Sequence, residues 1–375
     1  MAILEGIKVV DFTSAMAGPQ CSMLLADFGA EVVKVEPPGG ELSRKWGKNR
    51  FGPNDEFSGL FIALNRNKAS VEVDLKSDAG QATIRRLLES ADVVLEGFTP
   101  GVADRLGIGY SQVSKYNPEV VYCSISGYGQ TGPLKDRPGM DMLMQAYAGH
   151  MSITGEEGRP SVRTGPSPID LLTGTNAAVG ILLGILERNR SGQGQYVETS
   201  LYDAAIQMIS HFLADYTGSG DLPRKTGGHF AFSSPYGIFQ ARDRDVYIGA
   251  AHQKSFEAIC KAINRDDLIA DPRFSDNALR IQNRPELHKE LEPIFASRDA
   301  QEWVDLCVEL SIPSSLVEGI DEVCSQEQAQ AREMIVPSGI EGILSAGFPV
   351  KMSRTPAYFQ RPAPTVGEDN GRFDS

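Results

Sequence analysis

Ile7-Lys8-Val9-Val10-Asp11-Phe12, the segment Gly18 to Phe28, and Glu31-Val32-Val33-Lys34-Val35-Glu36 decide the fold. The first and last read as buried strands, and the segment between them, with Pro19 near its start, reads as a helix. Together they make a βαβ unit. The alternation continues with a strand at Ala69 to Leu75, a helix at Ala79 to Ser90, a strand at Asp92 to Glu96, a helix at Gly101 to Leu106 and a strand at Val120 to Ser126. Such alternation predicts an α/β class with a parallel, helix-covered sheet.

Working outward, helical patterns dominate from Leu171, and Tyr196 to Asp203 leads into another helix ending near Tyr216. Thr217-Gly218-Ser219-Gly220-Asp221-Leu222-Pro223 reads as a linker. Beyond it Ser234 to Ala251 resembles a hairpin, followed by helices at Ser255 to Ala262, Arg284 to Ala296 and Ala300 to Leu310. We expect a large domain over residues 1–217, completed by 326–375, and a smaller α+β domain over 218–325.

The 375 residues suffice for such a pair of domains. A net charge of -13 argues against nucleic acid or an anionic membrane as partner, so any anionic ligand needs basic residues gathered locally. Five cysteines, widely spaced and with no CxxC pair, fit reduced thiols better than a disulfide framework or a zinc site. Cys21 and Cys123 sit in apolar surroundings and read as core. The N-terminus lacks a basic and then apolar leader pattern, and the apolar run Ala177 to Leu186 is short for a membrane span, so a cytoplasmic protein is expected. His150, His211, His252 and His288 show no metal-ligand spacing, and no metal is expected.

Asp170 is the candidate for chemistry. It is a lone carboxylate in the glycine-punctuated run Gly165-Pro166-Ser167-Pro168-Ile169-Asp170-Leu171-Leu172-Thr173-Gly174. The prolines delay a helix until about this point, so the bland alternative is a helix N-cap. Gly127-Tyr128-Gly129-Gln130-Thr131-Gly132 matches G-x-G-x-x-G after a strand. Pro133 and Pro138 deny it the helix that a dinucleotide fingerprint requires.

The chain resembles the family III CoA-transferases along nearly its whole length. The resemblance rests on Leu4-Glu5-Gly6-Ile7-Lys8-Val9-Val10-Asp11, Ala17-Gly18-Pro19, Leu25 to Glu36, Asn65-Arg66-Asn67-Lys68, Ala91 to Glu96, Pro100-Gly101-Val102, Arg105-Leu106-Gly107 and Arg190-Ser191-Gly192-Gln193-Gly194-Gln195, in that order. It implies a Rossmann-like large domain, a small domain and an interlocked homodimer. It also implies Asp170 as nucleophile and CoA near Met16, Ala17, Val73, Lys76, Gly97, Phe98, Arg105 and Arg137, with Lys68 a further candidate cation. Coenzyme A would be substrate and product, with no permanently bound cofactor.

The chain departs from the family pattern at Pro37-Pro38, where some members carry an arginine for the nucleotide, and the segment Gly227 to Tyr236 is too short for a glycine-rich active-site cover. The run Cys123 to Pro133 is most similar to members using succinyl-CoA and short dicarboxylates, with Arg44, Arg163 and His229 as candidate cations for a second carboxylate. An α-methylacyl-CoA racemase is the nearest rival. It needs two acid/base groups, and Gly139-Met140-Asp141 offers methionine where racemases place histidine. A non-catalytic CoA-binding protein would be expected to lack the nucleophile.

Overall fold

The computed structural model describes residues 2–373; Met1 and residues 374–375, the ends of the expected large domain, lie outside the described residues. Two compact units emerge. The first takes the chain up to Ala148, then Thr164–Leu213, then Glu327 onward, and the second takes Gly149–Arg163 and Ala214–Gln326.

In the first unit β1 (Lys8–Asp11), α1 (Ala17–Asp27) and β2 (Glu31–Glu36) form the expected βαβ unit. A short helix α2 (Gly59–Leu64) leads to β3 (Lys68–Glu72), α3 (Asp78–Glu89), β4 (Val93–Glu96), the one-turn helices α4 (Val102–Arg105) and α5 (Tyr110–Val113), and β5 (Val121–Ser126). After α6 (Asp141–Tyr147) and the one-turn α7 (His150–Ile153), which belongs to the second unit, come α8 (Pro168–Ser191), β6 (Gln195–Ser200) and α9 (Leu201–Met208). The six strands form one parallel sheet in the order β3-β2-β1-β4-β5-β6. β1 and β4 are neighbours whose connections leave in opposite directions, so a crevice opens beyond their carboxyl ends, where ligands bind in open α/β sheets.

Both sheet faces are apolar. Val9, Leu95 and Cys123 join Cys21, Leu25, Ala177 and Ile181 in one cluster, while Val10, Val35, Val94 and Tyr122 join Ile84 and Leu88 in the other. Helix α8 is long and apolar enough, by length and composition, to cross a bilayer, contrary to the reading of Ala177 to Leu186 as a short run. Here it packs on α1 and β5, burying Ile169, Ala177, Ala178, Ile181 and Ile185. The chain end closes the β3 edge. Asn370 Oδ1 accepts the Glu72 N–H at 2.8 Å, and Asp369 Oδ2 accepts that of Ser70 at 3.0 Å.

The second unit pairs β7 (Tyr236–Gln240), β8 (Asp245–Gly249) and β9 (Ser314–Leu316) in an antiparallel sheet. Its core gathers Phe239, Val246, Phe256, Leu287, Phe295 and Trp303. Residues 149–163, expected within the large domain, group here instead. Gly155 C=O accepts the Gly227 N–H at 2.9 Å and Arg159 C=O accepts Lys225 Nζ at 3.1 Å, pairings that strand and helix periodicity cannot report.

Candidate active site

Asp170 is the third residue of α8, with Pro168 at the first position and Ser167 as the cap residue. It is therefore not the N-cap. Ser167 makes no side-chain cap bond; the helix start is held from outside by Asp141, whose Oδ2 accepts the N–H of Ile169 at 2.8 Å and of Asp170 at 3.1 Å. Asp141 Oδ1 in turn accepts Gln145 Nε2 at 2.5 Å, and Gln145 Oε1 accepts the Thr164 N–H at 3.0 Å. Asp141 and Gln145 are both buried, one turn apart on α6. The clasp fixes residues 164–170 so that the Asp170 side chain is left over, facing a cavity instead of capping its own helix.

That cavity measures about 380 Å³ and lies at the sheet crevice. Its walls are Thr13 to Gly18 after β1, Leu42 and Trp46, Gly97 to Pro100 after β4, Ile125 to Gly127, Arg137 to Met142, and Ser167, Asp170 and Leu201. Burial in this apolar setting, with the Asp141 charge adding to it, pushes the Asp170 carboxyl up to about 7. Arg137 is the one lysine, arginine or histidine among the described lining residues. Ala17 and Gly18, in the first turn of α1, line the same cavity; the opening N–H groups of a helix lack intrahelical acceptors and favour anions.

Of the residues expected at the site, Met16, Ala17, Gly97, Phe98, Arg137 and Asp170 meet in this one cavity. Val73, Lys76 and Arg105 do not line it. Val73 is buried beside a separate cleft of about 260 Å³ at the end of β3, Lys76 is exposed just beyond it, and Arg105 is exposed at the end of α4.

Four candidate cations take other places. Lys68 is fully buried and bonds Pro19 C=O at 3.0 Å, Asn65 Oδ1 at 2.9 Å and Asp11 Oδ2 at 3.4 Å, so it has no reach to a CoA phosphate. Arg44 is buried against Glu36 in a bidentate pair at 2.7 and 2.6 Å, stacked on Phe61, and supplies neither an acyl-site cation nor the nucleotide contact displaced by Pro37-Pro38. His229 and Arg163 belong to the second unit, where His229 packs edge-on against His288 with ring centroids 4.1 Å apart. Burial, with Arg284 adding to it, pulls the His229 imidazole below its usual range.

Asp141, Gln145 and the apolar pair Leu42 and Trp46 escaped the sequence reading. Only the Asp of Gly139-Met140-Asp141 gave a local signal, an acidic residue opening a helix after a proline-rich loop. The G-x-G-x-x-G run leads into loop, with no helix before Asp141. No histidine lines the cavity among the described residues, and Met140 stands on its wall.

Residues 4–370 match the profile of CoA-transferase family III. The chain is 37% identical to the succinyl-CoA:mesaconate CoA-transferase of Haloarcula hispanica, covering 95% of this chain and 91% of that one. It is 34% identical to the mouse succinyl-CoA:glutarate CoA-transferase, over 98% and 85% of the two chains. A CAIB/BAIF family protein from Brucella suis superposes with a TM-score of 0.90 at 29% identity, covering 99% of this chain and 98% of that one. With a parallel α/β fold, a crevice cavity and these relatives together, the chain belongs to CoA-transferase family III and is a CoA-transferase.

Proposed function

We propose that the protein moves CoA from succinyl-CoA to a short dicarboxylic acid through covalent intermediates on Asp170. The observation that carries this reading is the Asp170 carboxylate itself. It is held by its backbone, half-buried, and accepts no side-chain or backbone donor among the described residues while lining the crevice cavity. A carboxylate so placed is a nucleophile held ready and kept from water.

An Asp170 oxygen attacks the acyl carbon of the donor; the C–S bond breaks and CoA thiolate leaves, giving a mixed anhydride. The thiolate attacks the aspartyl carbonyl carbon, frees the donor acid and leaves an aspartyl-CoA thioester. The acceptor carboxylate then attacks that carbon, expelling thiolate and forming a second anhydride. Attack of the thiolate on the acceptor's acyl carbon releases the new acyl-CoA and restores Asp170. No water enters, so the energy of the thioester is conserved.

Met16, Ala17, Gly97, Phe98 and Arg137 are proposed to hold the pantetheine and phosphate portions. Val73, Lys76 and Arg105, on the neighbouring β3 and β4 connections, would take the outlying nucleotide. The N–H groups of Ile169 and Asp170 are occupied by Asp141, so the α1 start at Ala17 and Gly18 is the better donor pair for a developing oxyanion. The dicarboxylate acceptor is inferred from the mesaconate and glutarate for which the relatives are named. Work as an interlocked homodimer in the cytoplasm is part of the same reading; Val179, Leu182, Leu183 and Leu186, exposed at helical spacing on α8, support a partner surface. Racemisation is disfavoured because Met140 cannot move a proton.

The test is Asp170→Ala. Transfer between succinyl-CoA and glutarate or mesaconate is expected to fall by at least about a thousandfold with CoA affinity retained. Substantial transfer by the variant would refute the mechanism.

A further inference from the structure

Beneath the cavity lie six ionisable side chains that the proposed reaction does not use: Asp11, Lys34, Glu36, Glu41, Arg44 and Lys68, none more than 3% exposed. Buried ion pairs are poor sources of net stability, because desolvation consumes most of what the pairing returns. Their bonds to the backbone show a different use.

Lys34 Nζ pairs with Glu41 Oε1 at 3.1 Å and donates to the Thr13 carbonyl at 2.8 Å. Glu41 Oε2 accepts the Ala15 N–H at 3.1 Å and the Ser43 N–H at 3.3 Å. Asp11 Oδ1 accepts the Thr13 N–H at 2.8 Å and its hydroxyl at 2.5 Å. Glu36 Oε2 accepts the Glu41 N–H at 3.0 Å and so ties this cluster to Arg44. One ion pair thereby reaches both sides of the cavity mouth. On one side is the loop Thr13 to Met16; on the other is the turn Leu42–Lys45, which presents Leu42 and Trp46. Ala15 has φ of 68°, a left-handed conformation unfavourable for alanine that persists only where its surroundings impose it. Burial disfavours the Lys34 charge, yet Glu41, Asp11 and Glu36 together hold its pKa above the ordinary lysine value, so Lys34 stays charged.

We propose that Lys34 and Glu41 are positioning residues that lock the two walls of the cavity, the Thr13 to Met16 loop and the Leu42 to Trp46 turn, in the geometry that receives the CoA thioester. This rests on the reading of the cavity as the CoA site, and adds that its shape is set from below by a charged clasp and not by loop sequence alone.

The experiment compares Glu41→Ala, Glu41→Gln and Ala15→Gly with the natural chain, measuring CoA affinity by calorimetry, steady-state kcat and KM, and tryptophan emission on adding CoA. Glu41→Ala is expected to raise Kd for CoA and KM for succinyl-CoA about tenfold, about 1.4 kcal/mol, with kcat changed by less than about threefold. Glu41→Gln keeps an oxygen for the Ala15 and Ser43 N–H groups but turns an amide NH2 toward Lys34, so it is expected to recover part of that loss and not all of it. The emission change of Trp46, absent from a Trp46→Phe control, should shrink in Glu41→Ala and return in part in Glu41→Gln. Ala15→Gly, which frees the loop without touching the clasp, should fold and weaken CoA by about threefold or more. Undiminished CoA affinity in Glu41→Ala, or in Ala15→Gly should Glu41→Ala not fold, overturns the proposal, as does a Gln variant no better than Ala. Because CoA binding is read without turnover, these outcomes are independent of whether Asp170 is the nucleophile; transfer by Asp170→Ala would sink that reading and leave the clasp standing.

Discussion

Asp141 Oδ2 accepts the backbone N–H of Asp170 at 3.1 Å, so the carboxylate that fixes the helix start also sets a negative charge beside the Asp170 side chain. One residue thus orients the proposed nucleophile and helps keep it proton-loving in its apolar cavity. The consequence is a rate that depends on pH near neutrality.

In the proposed mechanism the attacking species is the ionised carboxylate, and burial together with Asp141 raises the Asp170 pKa to about 7. kcat/KM for succinyl-CoA should therefore climb tenfold per pH unit below about 7 and level off above it. Asp141→Asn keeps an oxygen for the two N–H groups and removes the charge, so the acid limb should move down by about 0.5–1 pH unit. Desolvation, the larger cause, stays in place. A pH profile measured on both proteins checks the shift; an unmoved limb would show that Asp141 acts through geometry alone.

The same pKa makes a stability prediction of definite sign. Asp170 binds its proton more tightly folded than unfolded, so its ionisation costs folding free energy, and that cost grows as pH rises from about 4 through about 7. Asp170→Asn removes it. The variant should be stabler at pH 8 by about 1–3 kcal/mol, allowing for partial solvent screening, and no stabler at pH 4. Denaturant unfolding at the two pH values decides.

Arg137 lines the cavity while Lys76 and Arg105 stand outside it. Arg137→Ala should raise KM for several acyl-CoAs by a common factor of about 5–20, consistent with one charge-assisted contact of 1–2 kcal/mol. Lys76→Ala and Arg105→Ala should produce smaller common rises. A change in acceptor preference with unchanged KM for acyl-CoA would place the residue at the acyl pocket instead.

The acceptor is expected to be a dicarboxylate. A panel of mesaconate, glutarate, itaconate, malate and citramalate beside formate, oxalate, carnitine and aryl acids tests it by kcat/KM. A tenfold preference for a monocarboxylic or aromatic acid, about 1.4 kcal/mol in transition-state discrimination, would remove the dicarboxylate assignment.

What the sequence made legible is what is local. Lys8–Asp11, Ala17–Asp27 and Glu31–Glu36 were readable because period and punctuation lie within a few residues of each other. Asp170 stood out as an isolated carboxylate in an apolar run. Its clasp did not, because Asp141 lies 29 residues away and becomes a cap only once α6 and α8 pack. Lys68 and Arg44 were misplaced for a related reason. A basic residue in sequence shows its charge and not its burial, and the partners that hold these two, Asp11 and Glu36, are on neighbouring strands. Residues 149–163 show the same limit at the scale of whole units.

The most direct measurement is covalent capture. The protein is incubated with succinyl-CoA, quenched with hydroxylamine and digested, and the peptides are read by mass spectrometry. The account predicts a hydroxamate on the Asp170 carboxyl, dependent on the acyl-CoA and absent from Asp170→Ala. Modification of a different carboxylate, or a fully active enzyme that never carries an adduct at Asp170, would contradict it.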